Sequence, residues 1–126
     1  MLKKISDHLS KLAEREPAIA RQFIASEQES EHCESEASDP LEEDRYEVVK
    51  GLIHKYNNRV LCLLTMECAS YCRFCTRRRV VSDIEHGRTS NGDIERWADY
   101  INAHPEIKEV IISGGDPLTV SDEFFT

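Results

Sequence analysis

Two short apolar runs separated by one helical pattern limit this chain more than any other feature. The first is RVLCLLT, residues 59–65, and the second is VIIS, residues 110–113. Each is long enough for a strand and too short for a core helix, and continuous apolar character fits a strand covered on both faces. Between them lies SNGDIERWADYINAHP. Ser90 or Asn91 can cap a helix there, Ile94, Trp97, Ala98 and Ile101 share one face, and Pro105 marks its end. Strand, helix, strand predicts a βαβ unit with parallel strands and a right-handed crossover. In α/β sheets, ligand-binding residues gather beyond the carboxyl ends of the strands. That edge holds two unusual stretches. One is MECASYCRFCTRRR, residues 66–79, with three cysteines and four arginines; the other is the turn Gly114-Gly115-Asp116-Pro117. They are expected to face one site.

The rest of the chain divides into two zones. In residues 1–25, Leu2, Ile5, Leu9 and Leu12 have helical spacing, and Ile19 and Phe23 follow Pro17. This predicts two short amphipathic helices broken near the proline. Residues 26–47 carry ten acidic residues against Arg45 alone, and predict an exposed acidic connector with Cys33 as a spare thiol. Residues 48–126 then form the start of a core domain. The net charge of −8 argues against nucleic-acid binding, because phosphate neutralisation needs a surplus of Lys and Arg. No apolar run approaches the ~20 residues that span a bilayer. The start, MLKKISDHLSKLAERE, lacks the apolar stretch of a secretory signal. A soluble, cytoplasmic protein is expected. In that reducing compartment clustered thiols hold metal more often than they form disulfides.

Cys68, Cys72 and Cys75 can wrap one metal centre without help from distant chain. A structural zinc site wants four protein ligands, and His86 could be the fourth. An electron-transfer [4Fe–4S] cluster wants four cysteines; Cys62 lies in a strand as a small core residue, and Cys33 is remote. A [4Fe–4S] cluster held by three cysteines leaves one iron open to chelate a small molecule through an amine and a carboxylate. Gly114 and Gly115 suit close approach of backbone to a ligand, and equally a tight strand-to-helix turn.

The stretches GLIHKYNNRVL, CASYCRFCTRRR and VIISGGDPLTVSD fall in order across residues 39–122. In them the chain resembles the lysine 2,3-aminomutase family of the radical S-adenosylmethionine superfamily. C-x3-C-x2-C carries the superfamily likeness. Tyr71-Cys72-Arg73 with Cys75-Thr76-Arg77-Arg78 carries the family likeness. The resemblance implies an α/β fold: N-terminal helices, then the first β/α units of a partial barrel. It implies a [4Fe–4S] cluster on Cys68, Cys72 and Cys75, S-adenosylmethionine at the open iron, and pyridoxal phosphate. One electron from the cluster would cleave S-adenosylmethionine to a 5′-deoxyadenosyl radical. The radical takes a hydrogen from the β-carbon of an amino acid held as a pyridoxal imine, and the amino group moves from C2 to C3.

Site roles follow from the same resemblance. Gly114, Gly115 and Asp116 match the turn that receives the methionine end of S-adenosylmethionine, and the Phe74 ring could pack on its adenine. Tyr56 and Arg59 fall where the family contacts pyridoxal phosphate, and Lys55 stands where some members carry arginine. Arg77 matches the arginine that pairs with the substrate carboxylate, a bidentate task suited to guanidinium. His54 is expected to be structural or to support a ligand-contacting residue from behind. The implied partners are an amino-acid substrate, an electron donor such as flavodoxin or ferredoxin, and further copies of the intact family member.

A full (β/α)8 barrel takes ~250 residues, and no lysine here sits in a setting like the family's cofactor lysine. The chain is therefore expected to be an N-terminal piece, inactive alone, with uncovered strand edges that favour aggregation. Two further readings stay open: a zinc-binding interaction module, and a radical S-adenosylmethionine enzyme of another branch without pyridoxal phosphate. The substrate stays open among lysine, glutamate, arginine and a protein-bound lysine.

Overall fold

The computed structural model describes residues 5–31, 33–81, 83, 87 and 89–125. Leu2 and His86 lie outside the described residues. Two helices open the chain. In α1 (Asp7–Arg15) the Ser6 hydroxyl accepts the Leu9 N–H at 3.3 Å, and Asp7 and Arg15 sit at the ends that suit their charges. Pro17 begins α2 (Pro17–Phe23), where its missing N–H leaves no bond unmade. The break falls at the proline, as the sequence predicts. The acidic segment continues through a 3₁₀ turn (Glu27–Ser30) and the short α3 (Glu43–Tyr46).

Four strands form one sheet in sequence order: β1 (Glu47–Val49), β2 (Leu52–Tyr56), β3 (Arg59–Thr65) and β4 (Glu109–Gly114). β1 to β3 run antiparallel; β3 and β4 are parallel, with Val60 opposite Val110 and Cys62 opposite Ile112. The helix between the parallel strands, α4 (Asn91–Ala103), starts at Ser90. There the Ser90 hydroxyl accepts the Asp93 N–H at 3.2 Å, and Asp93 accepts the Ser90 N–H at 2.8 Å. The strand–helix–strand expectation is met.

The core has two parts. Trp97 packs with Leu52, Val60, Cys62 and Leu64. Ile53, Leu63, Met66 and Val81 form the second cluster. The Trp97 indole N–H donates to the Lys50 carbonyl at 2.7 Å. Gly51, at φ +74°, lies beneath that ring; a Cβ there would stand 2.9 Å from it. The His54 Nδ1 lies 2.9 Å from the Tyr100 hydroxyl, and Tyr100 stacks on His104.

Three features depart from the sequence reading. The antiparallel β1 and β2 were not evident, because Leu52 and Ile53 are followed by polar residues without alternation. The legible signal was the two-residue Asn57-Asn58 link, with Tyr56 opposite Arg59. Ala98 is exposed, and Tyr100 joins the packed face in its place. Among the described residues β4 is not covered on both faces and pairs only with β3, and Val110, Ile111 and Ile112 are 43%, 38% and 45% exposed. α4 packs its Trp97 over β2 and β3 instead. Among the described residues no helix is long and apolar enough to cross a membrane.

Candidate metal and cofactor site

The glycine turn and the cysteine run are joined by backbone. Gly115 donates its N–H to the Thr65 carbonyl at 2.6 Å, and Asp116 donates to the Glu67 carbonyl at 2.7 Å. Gly114 has φ +134°. A Cβ on Gly114 would stand 2.1 Å from the Thr65 oxygen, and one on Gly115 2.1 Å from the Glu67 oxygen. Both glycines therefore permit close contact between the end of β4 and the chain entering the cysteine run. The Asp116 carboxylate accepts the Leu118 N–H at 3.0 Å and starts the 3₁₀ turn Pro117–Thr119.

Cys68, Cys72 and Cys75 are half-buried on one loop. The Ser70 hydroxyl lies 3.7 Å from the Cys68 sulfur and 3.5 Å from the Cys72 sulfur, so it links two of the thiols. Tyr71 between them adopts φ +47°, a conformation costly for a residue with a side chain. The Cys75 N–H donates to the Cys72 carbonyl at 3.2 Å, and Cys68, Tyr71 and Cys75 pack against the second core cluster. Among the described residues no group of three or more His, Cys, Asp or Glu side chains is drawn together at metal-binding distance. As a donor set, three thiols on one loop fit a zinc or iron–sulfur centre. Cys62 behaves as core: burial pushes its thiol up to about 11. Cys33 is exposed, and the Ser35 hydroxyl at 3.1 Å lowers its pKa.

Two grooves flank the loop. Phe74, 67% exposed, lines one of about 620 Å³ with Cys75, Arg73 and Arg78, facing Ser35 and Pro40 of the acidic segment. Tyr56, Arg59 and Arg77 line the other, of about 220 Å³, with Lys55, Glu43 and Ile111. Three residues from β2, β3 and the cysteine run thus share one concave surface. Arg59 pairs with Glu109 across the parallel strands. The Lys55 ammonium donates to the Leu41 carbonyl at 2.9 Å. Arg77 donates to Glu43 through Nε at 2.7 and 3.0 Å and through Nη2 at 2.6 Å. Its Nη1 reaches the Ser113 hydroxyl at 3.2 Å and the Gly114 carbonyl at 3.3 Å.

The sequence reading missed Glu43. It lies in a run of like residues, and nothing in the spacing separates the one buried carboxylate from its exposed neighbours. Its neighbours are also paired. Glu29 meets Arg73 at 2.5 Å, and Asp44 meets Arg79 at 2.8 Å. The Arg73 guanidinium lowers the Glu29 pKa, and Asp44 raises that of Arg79.

Fold and site together define a mixed α/β protein whose three-cysteine loop and glycine turn are joined at one strand edge. No protein-family model matches the chain. Curated relatives do, and the chain belongs to the lysine 2,3-aminomutase family. It is 43% identical over 106 residues to the L-lysine 2,3-aminomutase of Methanococcus maripaludis, covering 84% of this chain and 24% of that protein. It is 44% identical over 104 residues to a putative L-lysine 2,3-aminomutase of Treponema pallidum, covering 82% and 29%. The L-lysine 2,3-aminomutase of Escherichia coli is 41% identical over 104 residues, covering 82% and 30%. The chain spans about a quarter of the length of such relatives.

Proposed function

We propose that this chain forms the part of a radical S-adenosylmethionine 2,3-aminomutase, an isomerase, that carries the cluster loop and one wall of the amino-acid site. The observation that carries this reading is the groove that Tyr56 and Arg59 of the β2–β3 hairpin share with Arg77 of the cysteine run. When bound, the iron–sulfur cluster, S-adenosylmethionine and pyridoxal phosphate supply the radical and electron-sink chemistry. The chain's own residues bind and orient. Cys68, Cys72 and Cys75 hold the iron. The Gly114–Asp116 turn fixes the floor beside them, and the exposed Phe74 ring offers a face to adenine. Tyr56 and Arg59 contact pyridoxal phosphate. Arg77 takes the substrate carboxylate on the side of its guanidinium turned away from Glu43.

The four-stranded sheet is, in this reading, the first section of a partial barrel. Residues 1–25, 26–47 and 48–126 are its helical, acidic and core portions. A one-electron donor such as flavodoxin or ferredoxin, a cytoplasmic setting and an oligomeric intact protein belong to the same reading. Catalysis by residues 1–126 alone is not expected.

Anaerobic reconstitution followed by elemental analysis tests the proposal. About four iron and four sulfide per chain are expected in the unaltered protein. Cys72→Ala should lose them, while Cys33→Ala and Cys62→Ala keep them. One zinc and no iron would replace this reading with a zinc-binding module.

A further inference from the structure

Arg73, Arg77 and Arg79, three of the four arginines of the cysteine run, are each held by polar partners. Arg73, between Cys72 and Phe74, is held on every side by the N-terminal segment. Its Nε meets Glu29 at 2.5 Å, Nη1 donates to the Arg21 carbonyl at 2.9 Å, and Nη2 donates to the Ser26 hydroxyl at 2.9 Å. Its backbone N–H donates to the Gln22 carbonyl at 2.9 Å. Arg77, two residues after Cys75, takes Glu43. Arg79 takes Asp44 at 2.8 Å and Asp39 at 3.4 Å. Apart from the two longer contacts of Arg77 to Ser113 and Gly114, these partners come from residues 21–44, and the carboxylates all come from the acidic segment.

Apolar packing does not explain this docking. Among the described residues before Glu47, only Ile5 and Glu43 are buried, and α1, α2 and the 3₁₀ turn bury none of their own. What joins this layer to the cysteine loop is charge and hydrogen bonding. A single exposed ion pair is weak. Several on one segment, one of them nearly desolvated, act together and remain sensitive to salt.

We propose that residues 21–44 form an electrostatic clasp over the cysteine loop, with Arg73, Arg77 and Arg79 as positioning residues that set the loop's conformation and the access to its thiols. The clasp is a property of the metal-free chain. That the held loop is a metal-binding element rests on the function proposed above.

The test is site-resolved maleimide labelling of the reduced, metal-free protein, read by mass spectrometry. Because Cys33 lies within residues 21–44, free N-acetylcysteine labelled in the same buffer is the reference rate, and buried Cys62 reports opening of the whole fold. Raising salt from about 0.01 M to about 1 M shortens the screening length roughly tenfold, and should speed labelling of Cys72 and Cys75 by about threefold or more relative to the free thiol. Cys62 should stay unlabelled. The Glu29→Gln/Asp39→Asn/Asp44→Asn variant, which spares buried Glu43, should label quickly at low salt and lose the salt dependence. Salt-independent labelling of the unaltered protein, a variant that behaves like it, or Cys62 reacting in step with Cys72 would each overturn the clasp. Iron uptake separates the two proposals. Labelling as expected without iron uptake leaves the clasp standing and removes the functional reading; iron uptake with salt-insensitive labelling does the reverse.

Discussion

Glu43 takes the Nε and Nη2 side of the Arg77 guanidinium, with donor–acceptor distances of 2.6 to 3.0 Å. The side chains are 9% and 16% exposed. Nη1 is left with two longer contacts, to the Ser113 hydroxyl and the Gly114 carbonyl. One guanidinium therefore ties the acidic segment, the cysteine run and the end of β4 together. An arginine held firmly on one side and loosely on the other is oriented, and the loosely held side is the one that can exchange partners.

Removing one member of this pair should cost far more than a surface ion pair does. Glu43→Ala leaves a cation with little solvent, and a loss of about 3 kcal/mol is expected. Asp44→Ala, at an exposed pair, should cost under about 1 kcal/mol. Denaturant unfolding of both variants checks the contrast. Equal small losses would mean that water reaches Arg77 and that its orientation is not fixed by Glu43.

The glycine turn gives a second prediction. Gly115→Ala places a methyl group against the Glu67 backbone, and the chain must move to admit it. The Gly115 and Asp116 bonds to Thr65 and Glu67 should weaken. Hydrogen exchange at the position 115 and Asp116 amides reads this directly, with acceleration of about tenfold for each 1.4 kcal/mol lost. Unchanged protection would show that the contact relaxes freely.

The start of α4 carries a pH dependence. The Ser90 backbone N–H, then its hydroxyl, hold the Asp93 carboxyl well below the usual carboxylate range, against the opposing effect of burial. A depressed folded-state pKa stabilises the fold fully above the unfolded carboxylate value of about 4, and that contribution fades as pH falls towards the folded value. Asp93→Asn should therefore be less stable than the unaltered chain at pH 7, with the gap narrowing below about pH 4. Ser90→Ala should cost about 1 kcal/mol at pH 7. Thermal unfolding at neutral and acid pH measures both. A gap that stays constant across this range would mean that Asp93 ionises alike in the folded and unfolded chain.

The legible parts of this fold are those fixed by local pattern. Pro17, the Ser90 cap and the two apolar runs each act within a few residues of themselves, and the structure has them where the sequence places them. The meeting of Thr65 with Gly115 was also legible, because parallel strands bring their carboxyl ends to one edge. Glu43 and Glu29 were not, because a carboxylate's partner is set by tertiary position and ten acidic residues in one segment look alike. β4 misled for another reason. Val110, Ile111 and Ile112 read as a buried strand, and their composition does not say which neighbour covers them.

β4 therefore carries the last prediction. Among the described residues its outer edge has no neighbouring strand, and 43% of Val110 and 45% of Ile112 are open to water. An apolar edge strand with no proline and a single charge at its start is a template for further pairing. Glu109, at its first position, is already engaged by Arg59 and adds little net charge. The 126-residue chain should self-associate as its concentration rises, through this edge rather than through the N-terminal helices. Sedimentation velocity across a concentration series measures this. Val110→Lys/Ile112→Lys should restore a monomer, and Trp97 emission should be unchanged, since neither residue belongs to the Trp97 core. A chain that stays monomeric at all concentrations, or a lysine variant that associates as before, would place the adhesive surface elsewhere.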